Sequence, residues 1–365
     1  MEERIEAKRE FFAAANSGKG FVSFYSRVFG DKSIKRRYLI KGGPGTGKST
    51  FMKDLAKRAL EGGLDVEYFR CSSDPSSLDA VIIAGRVAVI DATSPHCVEG
   101  ECVGARDEII NLGAFWDSCA LGERFEEIKR ISETKKGCYS RAYRFLDAAM
   151  QVDEVSREIG SGLADREKMK KAVKRLMRTI PNGDGFELSP KLCDSMGMSG
   201  RVRLEGYENS ADKVYVIKDE YKIGSIFLAM LIDEARNKGC VVNVSYCPIT
   251  PDYPDALLFQ NDGIAFVVDD CKKKFEKESI YTNMKRFIKK SGVSREIKNE
   301  YKNCLSLFEG LVQAAEYELG MAGREHFKLE EIYKGNMDFA SQGDFLNRVA
   351  EGIIEITKVL KYGSC

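Results

Sequence analysis

Residues 42–50 read Gly42-Gly43-Pro44-Gly45-Thr46-Gly47-Lys48-Ser49-Thr50. Gly42, Gly47, Lys48 and Ser49 fall on the spacing G-x-x-x-x-G-K-[ST], the phosphate-binding loop pattern. Glycines at these positions let successive backbone N–H groups turn inward onto an anion, and a helix starting at the end of the loop adds its dipole to the attraction. Lys48 has the reach to neutralise β- and γ-phosphates, and the Ser49 hydroxyl is a hard oxygen ligand for Mg²⁺. All nine residues from Gly42 to Thr50 are therefore candidate contacts for ATP or GTP. Downstream, Val87-Ala88-Val89-Ile90-Asp91 is an apolar run ending in a carboxylate. Asp91 in that position can share Mg²⁺ with Ser49. The next residue is Ala92, where a catalytic glutamate would favour a motor-type ATPase.

Two further segments carry candidate chemistry. Cys71-Ser72-Ser73-Asp74-Pro75-Ser76-Ser77-Leu78-Asp79 follows an apolar run, at a strand end where open α/β sheets place ligands. Asp74 or Asp79 can position substrate or water there, and Asp74-Pro75 can equally start a turn. Asp91-Ala92-Thr93-Ser94-Pro95-His96 offers His96 as a general base or substrate contact. Tyr139-Ser140-Arg141-Ala142-Tyr143-Arg144 puts two arginines on a helix, able to stabilise a transferring phosphoryl group or to form an exposed basic face.

These groups need a scaffold. Strands are expected at 36–41, 65–71 and 86–91, alternating with helices, the first of which includes Phe51–Leu60; this pattern favours a parallel sheet. A long helical stretch runs from about Asn111 to Met177. Pro181 to Asp212 is rich in Gly and Ser and poor in periodicity, and reads as a linker. Residues 1–10 read as a charged helical segment, and the Lys272-Lys273-Lys274 run as a solvated helix start.

Composition narrows the function classes. The 365 residues carry 57 Lys+Arg and 56 Asp+Glu, a formal net charge of +1, so no electrostatic signal points to nucleic acid or an anionic membrane. No apolar run approaches the ~18 residues that would span a bilayer. Eleven cysteines without a C-x-x-C pair suggest reduced thiols in a cytoplasm. Two histidines, His96 and His326, argue against a His-based metal centre.

The second half repeats the first. Tyr38-Leu39-Ile40-Lys41 recurs as Tyr215-Val216-Ile217-Lys218, an offset of 177; Cys71 recurs as Cys247, an offset of 176. Val89-Ile90-Asp91 returns as Val267-Val268-Asp269, Lys136-x-Cys138-x-Ser140 as Lys302-x-Cys304-x-Ser306, and Ala148-Ala149 as Ala314-Ala315. Cys71 and Cys247 persist in both halves, which favours packing over catalysis. The glycine loop does not persist. Its counterpart is Asp219-Glu220-Tyr221-Lys222-Ile223-Gly224-Ser225-Ile226, in which Ser225 replaces the lysine and two carboxylates replace the first glycines. One nucleotide per chain is expected, bound at 42–50.

The fold expectation is α/β: two tandem P-loop NTPase-like parallel-sheet units, 1–185 and 186–365, each with a helical extension, the second with a degenerate loop. Leu39 to Thr50, Asp65 to Pro75 and Ile109-Ile110-Asn111-Leu112-Gly113-Ala114-Phe115-Trp116-Asp117 together resemble a family of bacterial tandem-repeat P-loop proteins described as ATPases or ATP-binding proteins. The resemblance covers most of the chain and implies Mg²⁺-nucleotide binding at Lys48 and Ser49. Members of that family often carry a glycine loop in both halves, and residues 219–226 depart from this. Three activities fit the sequence: a nucleoside triphosphatase, a small-molecule kinase with an unidentified acceptor, and a nucleotide-gated binding module with an unidentified protein partner.

Overall fold

The computed structural model describes residues 9–95, 98–269 and 279–363. His96 and the lysines at 272–274 lie outside the described residues, as do residues 1–8. Glu10, read above as helical, opens a strand, Glu10–Phe12.

The fold is α/β and built on two six-stranded sheets. In the first, Arg36–Lys41 is flanked by Val87–Asp91 and Asp107–Asn111, both parallel to it. Beyond Val87–Asp91 come Leu78–Ile83, Val66–Arg70 and Glu10–Phe12. The second sheet repeats this plan around Lys213–Lys218. Neither sheet is wholly parallel as expected. Leu78–Ile83 runs antiparallel to both neighbours, as does Pro254–Phe259 in the second sheet. The reason is local: Ala84 and Gly85, both at positive φ, turn the chain too tightly for a crossover helix. Asp79 accordingly lies in a buried strand, not in a loop.

The segment from Pro181 to Asp212 is not a linker. It contains the strand Glu187–Pro190, the hairpin Asp194–Gly197/Gly200–Arg203 and the helix Gly206–Ser210, with Cys193 and Tyr207 fully buried. Its glycines serve the hairpin: Gly200 has φ +81°. The first half carries a matching hairpin, Ala14–Ser17/Gly20–Ser23. Each hairpin reaches the other half. Gly18 N–H donates to Ile249 O at 3.0 Å, and Met198 N–H donates to Ser73 O at 2.8 Å.

The helices exchange as well. Phe125–Leu163 and Arg295–Lys334 pack antiparallel across the carboxyl edges of the sheets. Buried Ile131, Cys138, Ala142, Leu146 and Ala149 recur every three, four or seven residues, the seam of a paired helix. The helix that follows each long one then covers the opposite sheet. Met169, Val173 and Met177 of Arg166–Met177 join the core of the second sheet. Ala350 and Ile353 of Phe339–Tyr362 join Phe51, Met52 and Leu55 in the core of the first. A two-fold relation is visible in the hinges. Asp117 N–H donates to Asn336 O and Asp338 N–H to Phe115 O, while Asp165 N–H donates to Phe287 O and Lys289 N–H to Leu163 O.

The hinges correct the repeat register of the helices. Asp165 and Asp338 cap equivalent helices, an offset of 173. Gly18 packs on Met150 where Met198 packs on Gly323, again 173. The Lys-x-Cys-x-Ser and Ala-Ala matches, at an offset of 166, sit one heptad out of this register. A seven-residue repeat of small and apolar positions makes such a slip easy to mistake for alignment. Among the described residues, no helix is long and apolar enough to cross a membrane.

Candidate functional site

Arg36–Lys41 delivers the glycine loop, and the helix Lys48–Glu61 leaves it. Gly47, the residue before the helix, has φ +83°. Lys48 folds back over the loop: its ammonium donates to Gly42 O at 2.9 Å and Gly43 O at 2.8 Å. Thr46 Oγ1 donates to Gly43 O at 2.9 Å. Asp91 is brought alongside because its strand pairs directly with Arg36–Lys41, placing Ile40 opposite Asp91. Asp91 Oδ2 lies 3.6 Å from Lys48 Nζ, and Asp91 Oδ1 accepts from the N–H and hydroxyl of Thr93. Burial pushes the Asp91 carboxyl up, against the pull of Lys48 and Thr93. Ser49 Oγ accepts from Leu78 N–H at 3.0 Å.

The nine loop residues, Lys48 and Ser49 among them, and Asp91 are thus gathered at one strand–loop–helix corner. Asp74 is adjacent in sequence to this edge but has other bonds. Its two oxygens accept from the Ser76 N–H and hydroxyl and from the Ser77 hydroxyl, which is the turn reading of Asp74-Pro75. Asp79 lies beside Cys71, whose thiol is pushed well up by burial and then by Asp79; such a thiol is a packing group. Arg141 makes a two-pronged pair with Glu318 at 2.9 and 2.8 Å, and Arg144 is exposed.

The second half supplies what the sequence motif did not reveal. The end of Arg295–Lys334 lies on the glycine loop. A side chain on Gly43 would collide with the Tyr333 ring, and one on Gly45 would come within 2.7 Å of Glu330 O. Gln342, 3% exposed, donates from Nε2 to Thr46 O at 2.8 Å. On the same helix end His326 and Lys334 flank Glu330 at 3.5 and 3.1 Å, holding its carboxyl down at about 2. A glutamine 296 residues from its partner leaves no pattern in a sequence.

The degenerate loop is built differently. The Asp219 carboxylate accepts from the N–H groups of Ile223 at 3.1 Å and Gly224 at 2.8 Å. It thus occupies the anion position at the start of the helix Gly224–Lys238. Lys222 keeps the loop conformation, with φ +55° against +70° at its counterpart Gly45. Asp153 from the long helix pairs with Lys222 and with Arg157, whose Nε lies 2.6 Å away. Arg157 also donates to Ser225 Oγ and Thr250 Oγ1, both at 3.1 Å. Charge in this loop is balanced from within the chain.

Comparisons with protein-family models, with curated proteins and with solved structures found no match. The site is therefore read from its own geometry. Backbone N–H groups at a helix N-terminus, a lysine above them and a carboxylate 3.6 Å from that lysine form an arrangement suited to a polyphosphate with a hard divalent cation. Among the described residues no cluster of three or more His, Cys, Asp or Glu could hold a metal unaided. A Mg²⁺ ion that takes one carboxylate, one hydroxyl, water and ligand phosphate oxygens needs no such cluster.

Proposed function

We propose that this protein binds one Mg²⁺-nucleoside triphosphate, ATP or GTP, at residues 42–50 and hydrolyses it. The observation that carries the reading is Lys48, held over the loop by Gly42 O and Gly43 O and 3.6 Å from Asp91. Those two carbonyls are ligands a lysine exchanges readily for phosphate oxygens, because a charged acceptor binds an ammonium more strongly than a neutral one. The loop amides and Lys48 would orient the β- and γ-phosphates. Ser49 and Asp91 would hold Mg²⁺, which when bound supplies charge neutralisation to the phosphates. The long helix pair across the carboxyl edges limits water access and narrows what can reach the terminal phosphate.

Thermal unfolding with Mg·ATP and Mg·GTP tests the site. Binding raises the melting temperature by mass action, and Lys48→Ala abolishes the rise; a rise that persists in Lys48→Ala refutes the assignment. Titration calorimetry should give a stoichiometry near one, and a second equivalent site would show that residues 219–226 bind as well.

One observation favours a second reading, a nucleotide-gated module. The Gln342–Thr46 bond ties the glycine loop to the other half, so loading the loop acts directly on that contact. Tight binding with turnover well below ~1 s⁻¹, the low end of ordinary enzymes, supports this alternative over hydrolysis. ATP consumption that rises only with an added nucleoside, nucleotide or sugar acceptor supports a kinase instead.

A further inference from the structure

We propose that Lys135, on the long helix Phe125–Leu163, is a second phosphate-binding lysine that contacts the terminal phosphate of a triphosphate held at residues 42–50. The proposal rests on the nucleotide-binding reading above and deepens it.

The two-fold relation between the halves locates Lys135. With the helix offset of 173 set by Asp165/Asp338 and Met150/Gly323, position 135 corresponds to Phe308. The Phe308 ring stands 4.5 Å from Lys222 Nζ. Lys222 is the counterpart of Gly45, and both residues have positive φ. In the second half, then, the space between helix and loop holds an ammonium that rises from the loop to an aromatic ring on the helix. In the first half the loop has Gly45 there, packed against Glu330 and the stem of Lys334, and the helix position that corresponds to Phe308 is the lysine.

The neighbours of Lys135 agree with this placement. One turn before it, Ile131 packs with Leu329 and Ile332, beside the Tyr333 that covers Gly43. One turn after it, the Tyr139 hydroxyl lies 3.0 Å from Ser73 Oγ at the carboxyl edge of the sheet. Lys135 shares their helix face and is half-buried.

What distinguishes the two halves is the counter-charge. Lys222 pairs with Asp153, whose counterpart at offset 173 is His326. Lys135 makes no ion pair or hydrogen bond with any described residue, and burial pushes its ammonium below the usual lysine value. A half-buried cation without a partner is costly, and an arriving γ-phosphate removes that cost. The second loop shows the complementary solution, with Asp219 as internal anion and Lys222 and Arg157 as its cations. At the first loop Asp91 lies 3.6 Å from Lys48, and Lys135 is the cation left for a ligand phosphate. A diphosphate ends short of the helix, so Lys135 discriminates triphosphate from diphosphate.

Calorimetry on the full chain tests this, with Mg²⁺ and either a non-hydrolysable ATP analogue or ADP. Lys135→Met keeps the apolar stem and should weaken analogue binding roughly 10- to 100-fold, the range for one charge-assisted hydrogen bond. ADP affinity should stay within about threefold. Lys135→Arg, which keeps the charge, should recover most of the loss. Equal weakening of both ligands, or of neither, overturns the role at the terminal phosphate while leaving the loop assignment standing. If the wild-type chain binds neither ligand, the nucleotide reading and this proposal fall together. Melting temperatures of the variants without ligand confirm that they fold.

Discussion

The contact between Gln342 and Thr46 offers the sharpest test of how the halves cooperate. Gln342 is 3% exposed and Thr46 1% exposed, so water cannot replace the 2.8 Å bond if the amide is removed. The equivalent position on the helix over the degenerate loop is Met169, which is fully buried. Methionine therefore suits this helical environment, and Gln342→Met is close to volume-conserving. The substitution leaves Thr46 O buried without its donor, a cost of about 1–3 kcal/mol. Part of that cost falls on the folded state at large. The rest falls on the loop, because Thr46 also donates to Gly43 O, one of the two carbonyls that hold Lys48. If about half the cost, roughly 1 kcal/mol, reaches the nucleotide-bound geometry, affinity for Mg·ATP drops roughly fivefold, since about 1.4 kcal/mol is one decade. Calorimetry gives that number, and urea unfolding of the unliganded protein gives the global loss. Gln342→Glu should be worse on both counts, because it sets a carboxylate against a carbonyl oxygen. An affinity within twofold of wild type, with stability clearly lowered, would mean that Gln342 only docks the helix and does not shape the loop.

Two further outcomes concern the second half. Asp219→Ala, made in a Lys48→Ala background to silence the first loop, removes the acceptor for the Ile223 and Gly224 N–H groups. It should lose about 1–3 kcal/mol of stability, restored in part by inorganic phosphate; no effect of phosphate would show that the loop is not a filled anion site. Asp255 has both carboxylate oxygens buried, and burial, opposed by Arg203, pushes it up to about 6. A carboxyl raised in the folded state contributes stability below its unfolded value of 3.8 and loses it as pH rises through about 6. The loss is about 3 kcal/mol, from roughly two units at 1.36 kcal/mol each. Asp255→Asn should thus be more stable than wild type at pH 7 and nearly equal at pH 4, by urea unfolding; a difference independent of pH would refute the shift.

The glycine loop, its strand and its helix were legible because their chemistry is local: nine adjacent residues determine them. Asp91 was legible for the same reason, through an apolar strand ending in a carboxylate. The antiparallel strand Leu78–Ile83 was missed because a continuous apolar run does not reveal its direction, and only the short Ala84-Gly85 turn does. Pro181 to Asp212 was misread because glycine and serine mark hairpin turns as well as linkers. The misaligned helices show the limit of repeat matching, since a heptad slip preserves the buried pattern. Gln342 and Tyr333 had no signal at all, because each touches the loop across a contact that exists only once the helices have exchanged.

That exchange also explains how a half with a self-satisfied loop bears on the other. The sheet face formed by Phe51, Met52 and Leu55 is covered by Ala350 and Ile353 from the far end of the chain. The loop above that sheet is touched by Tyr333, Glu330 and Gln342 from the same end. Conversely, Asp153 and Arg157 of the first half neutralise the second loop. The second loop, carrying its own anion, has no need of a ligand to be complete. Its half serves as the partner surface of an intramolecular dimer, and the asymmetry between the loops follows from charge. One holds the Asp219 carboxylate on its amides, with Asp153, Lys222 and Arg157 around it, and the other has Lys48 lying over Gly42 O and Gly43 O beside Asp91.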